Sequence, residues 1–105
     1  MSTSTKTSPS LEELRGRREE ILALGERYGA HNVRVFGSVA RGEAGPESDI
    51  DLLADFDAHT MTQRVMLIQE LADLLDYPVE VASAEHLRQE MRVAILRDAK
   101  SLLEG

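Results

Sequence analysis

The chain has 105 residues, 42% of them hydrophobic and 30% charged, the balance of one soluble globular domain. Its formal charge of −7 argues against gripping a phosphate backbone by bulk charge, and Tyr28, Phe36, Phe56 and Tyr77 are too few aromatics for a base-stacking platform. With no cysteine there are no disulfides, thiolate zinc sites or cysteine nucleophiles. No apolar run approaches the ~18 residues that span a bilayer. The opening MSTSTKTSPS has no hydrophobic h-region, so no signal peptide is expected and the cytoplasm is favoured. An acidic chain of this kind suits metal ions and basic partners.

Residues 1–9 are Ser/Thr-rich and read as a disordered tail, leaving 10–105 as one domain. Ser10 followed by Glu13 matches a capping box, and Leu11, Leu14, Ile21, Leu22 and Leu24 make an apolar stripe. Together they predict a helix over 11–28, with Gly29 near its end and Gly16 as a weak spot. Val33, Val35 and Phe36 predict a short strand over 33–36, stopped by Gly37. Residues 38–48 carry Gly42, Gly45 and Pro46, which suits a turn of helix followed by a loop. A second strand runs from Ile50 to Phe56.

A helix over 60–77 follows, its buried face marked by Val65, Leu67, Ile68, Leu71, Ala72, Leu74 and Leu75. Met61 and Met66 on it, and Met91 further on, read as core. PVEVAS, residues 78–83, makes a third short strand, and 84–103 reads as mostly helical with a break near 86–88. Helices interleaved with short strands indicate an α/β or α+β sheet packed by helices.

The chemistry concentrates in GSVARG, residues 37–42, leading to SDIDL, residues 48–52. Side chains alternate along a strand, so Asp49 and Asp51 point the same way. A bare pair of like charges on one face is unfavourable to bury, and a hard divalent cation removes that cost. Gly37 and Ser38 stand where a strand ends and a helical turn begins, where backbone N–H groups can hold a phosphate. A lone Asp-x-Asp is common on solvated strand ends, and a lone Gly-Ser is usually a turn. The joint spacing of strand, Gly-Ser, ten residues, Asp-x-Asp and strand is far more specific, and points to phosphoryl or nucleotidyl transfer.

The segment GSVARGEAGPESDIDLLADF resembles the Gly-Ser-x10-Asp-x-Asp signature of the polymerase-beta-type nucleotidyltransferase superfamily. Its ARG and SDIDLL details and the short chain resemble the minimal nucleotidyltransferases, the MNT antitoxins. The likeness is strongest over 33–56 and extends more loosely over 11–103. It implies a small mixed β-sheet flanked by helices, Mg²⁺ dependence and ATP as co-substrate, with Mn²⁺ able to replace Mg²⁺ at oxygen ligands. Carried over, Gly37 and Ser38 contact the triphosphate and Asp49 and Asp51 bind the metal.

The family usually adds a third acid, commonly Asp, from a later strand. Glu80 is the sole acidic residue of its short apolar strand and is taken as that group, as metal ligand and catalytic carboxylate. Otherwise it faces outward from an edge strand. Arg41 either touches phosphate or pairs with Glu43 or Glu47. Ser48 caps the turn before Asp49. Asp55 lies about 13 Å beyond Asp51 and reads as a solvated strand-end carboxylate. Arg15, Arg17 and Arg18 read as a solvated helix face, as do Arg88, Arg92 and Arg97. His31, His59 and His86 lack metal-ligand spacing.

The resemblance implies transfer of AMP from ATP to a tyrosine hydroxyl of a cognate HEPN-domain RNase toxin, which silences it. No direct nucleic-acid or membrane contact is expected. A masking antitoxin without catalysis is one alternative. An enzyme acting on a small molecule or an RNA end is another, disfavoured by the charge and by the lack of a substrate-binding domain.

Overall fold

The computed structural model describes residues 8–57 and 61–103, so most of the tail over 1–9 lies outside the described residues, though Pro9 at its end is buried. The Ser10 side chain accepts the Glu13 backbone N–H at 3.1 Å and opens helix α1, Leu11–Gly16. The helix expected over 11–28 is broken at Arg17, one residue after the glycine, and resumes as α2, Arg18–Arg27. Leu14 and Ile21, one on each side of the break, are both buried in the core. Arg15 and Arg17 are not simply solvated. Arg15 donates two N–H bonds, at 3.1 and 2.8 Å, to the Ser101 carbonyl, and Arg17 donates to the Leu74 carbonyl at 3.0 Å.

Strand β1 runs Ala30–Phe36, three residues longer at its start than the apolar pattern predicts. Its opening is polar and irregular: Asn32 takes φ +53°, and the pairing register shifts between His31 and Arg34. Such a bulge is paid for by tertiary pairing and leaves no hydrophobic alternation to read. Helix α3, Gly37–Arg41, is the expected single turn, closed by Gly42 in the left-handed conformation. Strand β2 is Ile50–Phe56, α4 is Met61–Leu75, and β3 is Val79–Ser83.

A 3-10 turn at Ala84–His86 and helix α5, Gln89–Asp98, bracket the expected break. Lys100–Ser101 then pair with β1 as a short strand, β4, where helix was expected. Lysine and serine have no strand preference of their own, so the partner strand decides this element.

The sheet order is β3-β2-β1-β4, antiparallel except for the parallel β2/β3 pair. Its two faces are unequal. Val33, Val35, Ile50, Leu52, Ala54, Phe56, Val79 and Val81 join Leu67, Leu71 and Leu75 of α4 and the buried residues of α1 and α2 in the main core. The opposite face holds a small cluster of Leu53, Ala84 and Ile95, and it also carries Asp51 and Glu80. Alternation along β2 thus sends Ile50 and Leu52 into the core and Asp51 outward.

The methionines correct the sequence reading. Met61 is 73% exposed, and Met66 and Met91 are also exposed, because these helices bury only a narrow stripe. Val65 lies outside that stripe too. Among the described residues, no helix is long and apolar enough to cross a membrane.

Candidate active site

The sheet register builds the site. Asp51 is paired with Phe36 across the antiparallel β1/β2 contact and with Glu80 across the parallel β2/β3 contact. Phe36 is the last residue of β1, so the chain leaves the sheet at Gly37-Ser38 beside Asp51. Asp49 stands one residue ahead of β2, and the Ile50 N–H bonds the Pro78 carbonyl at 2.9 Å, anchoring the start of β3 alongside. One end of the sheet therefore gathers Gly37, Ser38, Asp49, Asp51 and Glu80.

Gly37 is required there twice over. Its φ of +75° is left-handed, and a Cβ on it would lie 2.5 Å from Asp51 Oδ2. The Asp51 carboxylate thus packs against bare backbone. Burial, then Asp49, then Glu80 push its pKa above the usual aspartate value, while Arg41 pulls it down. Asp51 is half-buried, whereas Asp49 and Glu80 are exposed.

The donor set fits a hard divalent cation. Asp49 and Glu80 lie near enough to Asp51 to raise its pKa, and a divalent charge relieves such repulsion. They do not form a closed cage: among the described residues, no group of three or more His, Cys, Asp or Glu side chains is placed to hold a metal. A cation that keeps waters and takes substrate phosphate oxygens suits this better than one held wholly by protein.

Arg41 stands at the edge of the site, committed to Glu43 at 2.9 Å and to Asp98 of α5 at 2.7 Å. The sequence reading foresaw Glu43 but not Asp98, which no local pattern could connect to Arg41. Glu80 is 56% exposed at its side chain and faces Arg64 of α4, with Nη2 3.7 Å from Oε2. Arg64 was likewise not singled out, because it lies on a different element and within no motif.

The remaining groups fall outside the site. Ser48 Oγ accepts the Gly45 N–H at 2.8 Å, a turn role. Asp55 is tied by Arg34 and Asn32, and His31 by Asp57. The His86 ring contacts Ser83 Oγ, and Arg92 donates to the Ala84 carbonyl. His59 lies outside the described residues.

Comparison with known proteins agrees with this geometry. The nucleotidyltransferase domain family matches residues 17–103. Protein adenylyltransferase MntA of Thermococcus cleftensis is 34% identical over 76 residues, which cover 71% of this chain and 77% of that protein. A solved structure provisionally described as a minimal nucleotidyltransferase superposes with a TM-score of 0.77 at 46% identity, over 87% of this chain and 94% of that one. A structure of a tri-AMPylated Shewanella oneidensis HEPN toxin in complex with MNT antitoxin shares the fold, with a TM-score of 0.65 at 21% identity, over 87% of this chain and 71% of that one. A family match across most of the chain, on a sheet that brings Gly-Ser and Asp-x-Asp to one end, leads to a single placement: the chain belongs to the nucleotidyltransferase domain family and is one of its minimal enzymes.

Proposed function

We propose that this chain is an antitoxin that transfers AMP from ATP to a tyrosine hydroxyl of a cognate HEPN-domain RNase toxin. The observation that carries the reading is the row Phe36, Asp51, Glu80 across three strands, with Gly37-Ser38 at its end. The relatives support the acceptor class, since one is named a protein adenylyltransferase and another solved complex holds an AMPylated HEPN toxin. The catalytic unit is the domain over 10–105.

Gly37 and Ser38 present backbone N–H groups to the triphosphate, and the missing Cβ at Gly37 leaves room for the Asp51 carboxylate beside them. One Mg²⁺, or Mn²⁺ in its place, would be held by Asp49 and Asp51 and a second would be shared with Glu80; they would supply charge neutralisation and a more acidic acceptor hydroxyl. Glu80, on the more open strand β3, receives the hydroxyl proton. The acceptor oxygen bonds to the α-phosphorus, the bond from that phosphorus to the bridging oxygen breaks, and pyrophosphate leaves. Arg41 reaches phosphate only by giving up its pair with Glu43 or Asp98. Catalysis rests on positioning and charge. Dependence on ATP suits the cytoplasm, and the charge of −7 suits a basic protein partner rather than nucleic acid.

The test is the intact mass of a candidate HEPN-domain toxin after incubation with this protein, ATP and Mg²⁺. An Asp49→Asn/Asp51→Asn variant runs alongside. Gain of one or more AMP units with the wild type alone supports the reading, and peptide mapping to tyrosine completes it. No gain, with the toxin still bound and silenced, leaves a masking antitoxin instead. AMP found on a small molecule or an RNA end, with none on protein, replaces the acceptor.

A further inference from the structure

Arg64 is anomalous as a structural residue. Its Nε is buried and has no hydrogen-bond partner among the described residues, a cost to the folded state. Its ion pair with Glu80, at 3.7 Å to a side chain 56% exposed, returns little stability. An arginine that weakens the fold yet reaches the third carboxylate of the site needs another account.

Topology supplies one. Val79 and Val81 of β3 face the core that α4 covers, while Glu80 points to the opposite face. Arg64, near the start of α4, therefore reaches round the outer strand of the described sheet to meet Glu80. Glu80 in turn is the register partner of Asp51 and adds to the negative field there. The pair with Arg64, reached from that edge, limits where the exposed Glu80 carboxylate stands.

We infer that Arg64 is the positioning residue for Glu80, holding its carboxylate at the β3 edge of the site where the acceptor hydroxyl arrives. The inference rests on the transferase reading above, with Glu80 as proton acceptor. Arg64 touches no reacting atom in this account. It acts only through Glu80, and it sets the rate of transfer rather than the affinity for ATP.

The experiment measures AMP transfer from labelled ATP to the candidate HEPN-domain toxin by wild type, Arg64→Met, Arg64→Lys, Glu80→Gln and Arg64→Met/Glu80→Gln, with melting curves for each. Loss of an outer-shell partner of this kind costs about 10–100-fold. Arg64→Met is expected to lower kcat by about 10-fold or more while KM for ATP stays within about twofold. Its melting temperature should match or exceed that of the wild type, since methionine buries no unpaired donor, and Arg64→Lys should recover part of the rate. In the Glu80→Gln background, Arg64→Met should change the rate less than about twofold, as coupled residues do.

Multiplying losses in the double variant or a rate loss that follows loss of stability would overturn the assignment while leaving the transferase reading intact, and a Glu80→Gln protein as active as the wild type would overturn it together with the role of Glu80 as proton acceptor, AMP transfer itself standing. Absence of AMP transfer by the wild type would remove both.

Discussion

Gly37→Ala separates the backbone of the site from its chemistry. The residue sits at φ +75°, a conformation that costs an alanine about 1–2 kcal/mol. Reduced freedom of the unfolded chain offsets about 0.4–1 kcal/mol of whatever alanine changes. The net backbone loss is therefore about 1 kcal/mol, or about 5 °C in melting temperature for a domain of this size. Gly29 is the matched control: its φ is +79°, and nothing lies within 4 Å of where its Cβ would be. Gly29→Ala should show the same melting shift.

The two differ in what the methyl group meets. At Gly37 it meets Asp51 Oδ2 at 2.5 Å and Cγ at 3.3 Å, so the carboxylate has to retreat to the 3.4 Å of ordinary contact. A displacement approaching 1 Å in a positioned catalytic group costs about 100-fold in rate. Gly37→Ala should thus lose about two orders of magnitude in AMP transfer at a modest cost in stability, while Gly29→Ala keeps its rate. Scanning fluorimetry and radiolabel transfer to the HEPN protein measure the pair. Equal transfer rates for the two variants would refute the claim that Gly37 exists to seat Asp51.

Other expectations follow from the same geometry. Asp51→Asn removes a charge that burial, Asp49 and Glu80 all disfavour, so the nucleotide-free protein should melt at or above the wild-type temperature while transfer is lost. Leu52 is fully buried in the central strand β2, and Leu52→Ala should cost about 2–5 kcal/mol in urea unfolding. Arg15→Met removes both bonds to the Ser101 carbonyl; with a charged donor lost, about 1.5–3 kcal/mol should go, and amide exchange should rise first in β4. Ser10→Ala removes the acceptor for the Glu13 N–H and should cost about 1 kcal/mol, read from the same urea curves.

Local chemistry determined much of this protein in advance. Capping at Ser10, the leucine spacing of α4 and the alternation of β2 are short-range signals, and each element appears where its pattern lies. The same holds for Gly37-Ser38 and Asp49-x-Asp51, whose spacing prescribes a strand, a turn and a second strand carrying the acids. What lay beyond local reach depended on partners distant in the chain. The irregular start of β1 exists because Ala30 and His31 pair with Phe56 and Asp55. Lys100–Ser101 are a strand because Arg34 and Val35 offer an open edge. The methionines are exposed because each helix buries a stripe narrower than its apolar content. Within the site, the register alone set Glu80 beside Asp51, and only packing of α4 along β3 brought Arg64 to Glu80. Side-chain periodicity is written every two or four residues, whereas pairing between strands and across the sheet edge is settled by which surfaces meet once the chain has folded.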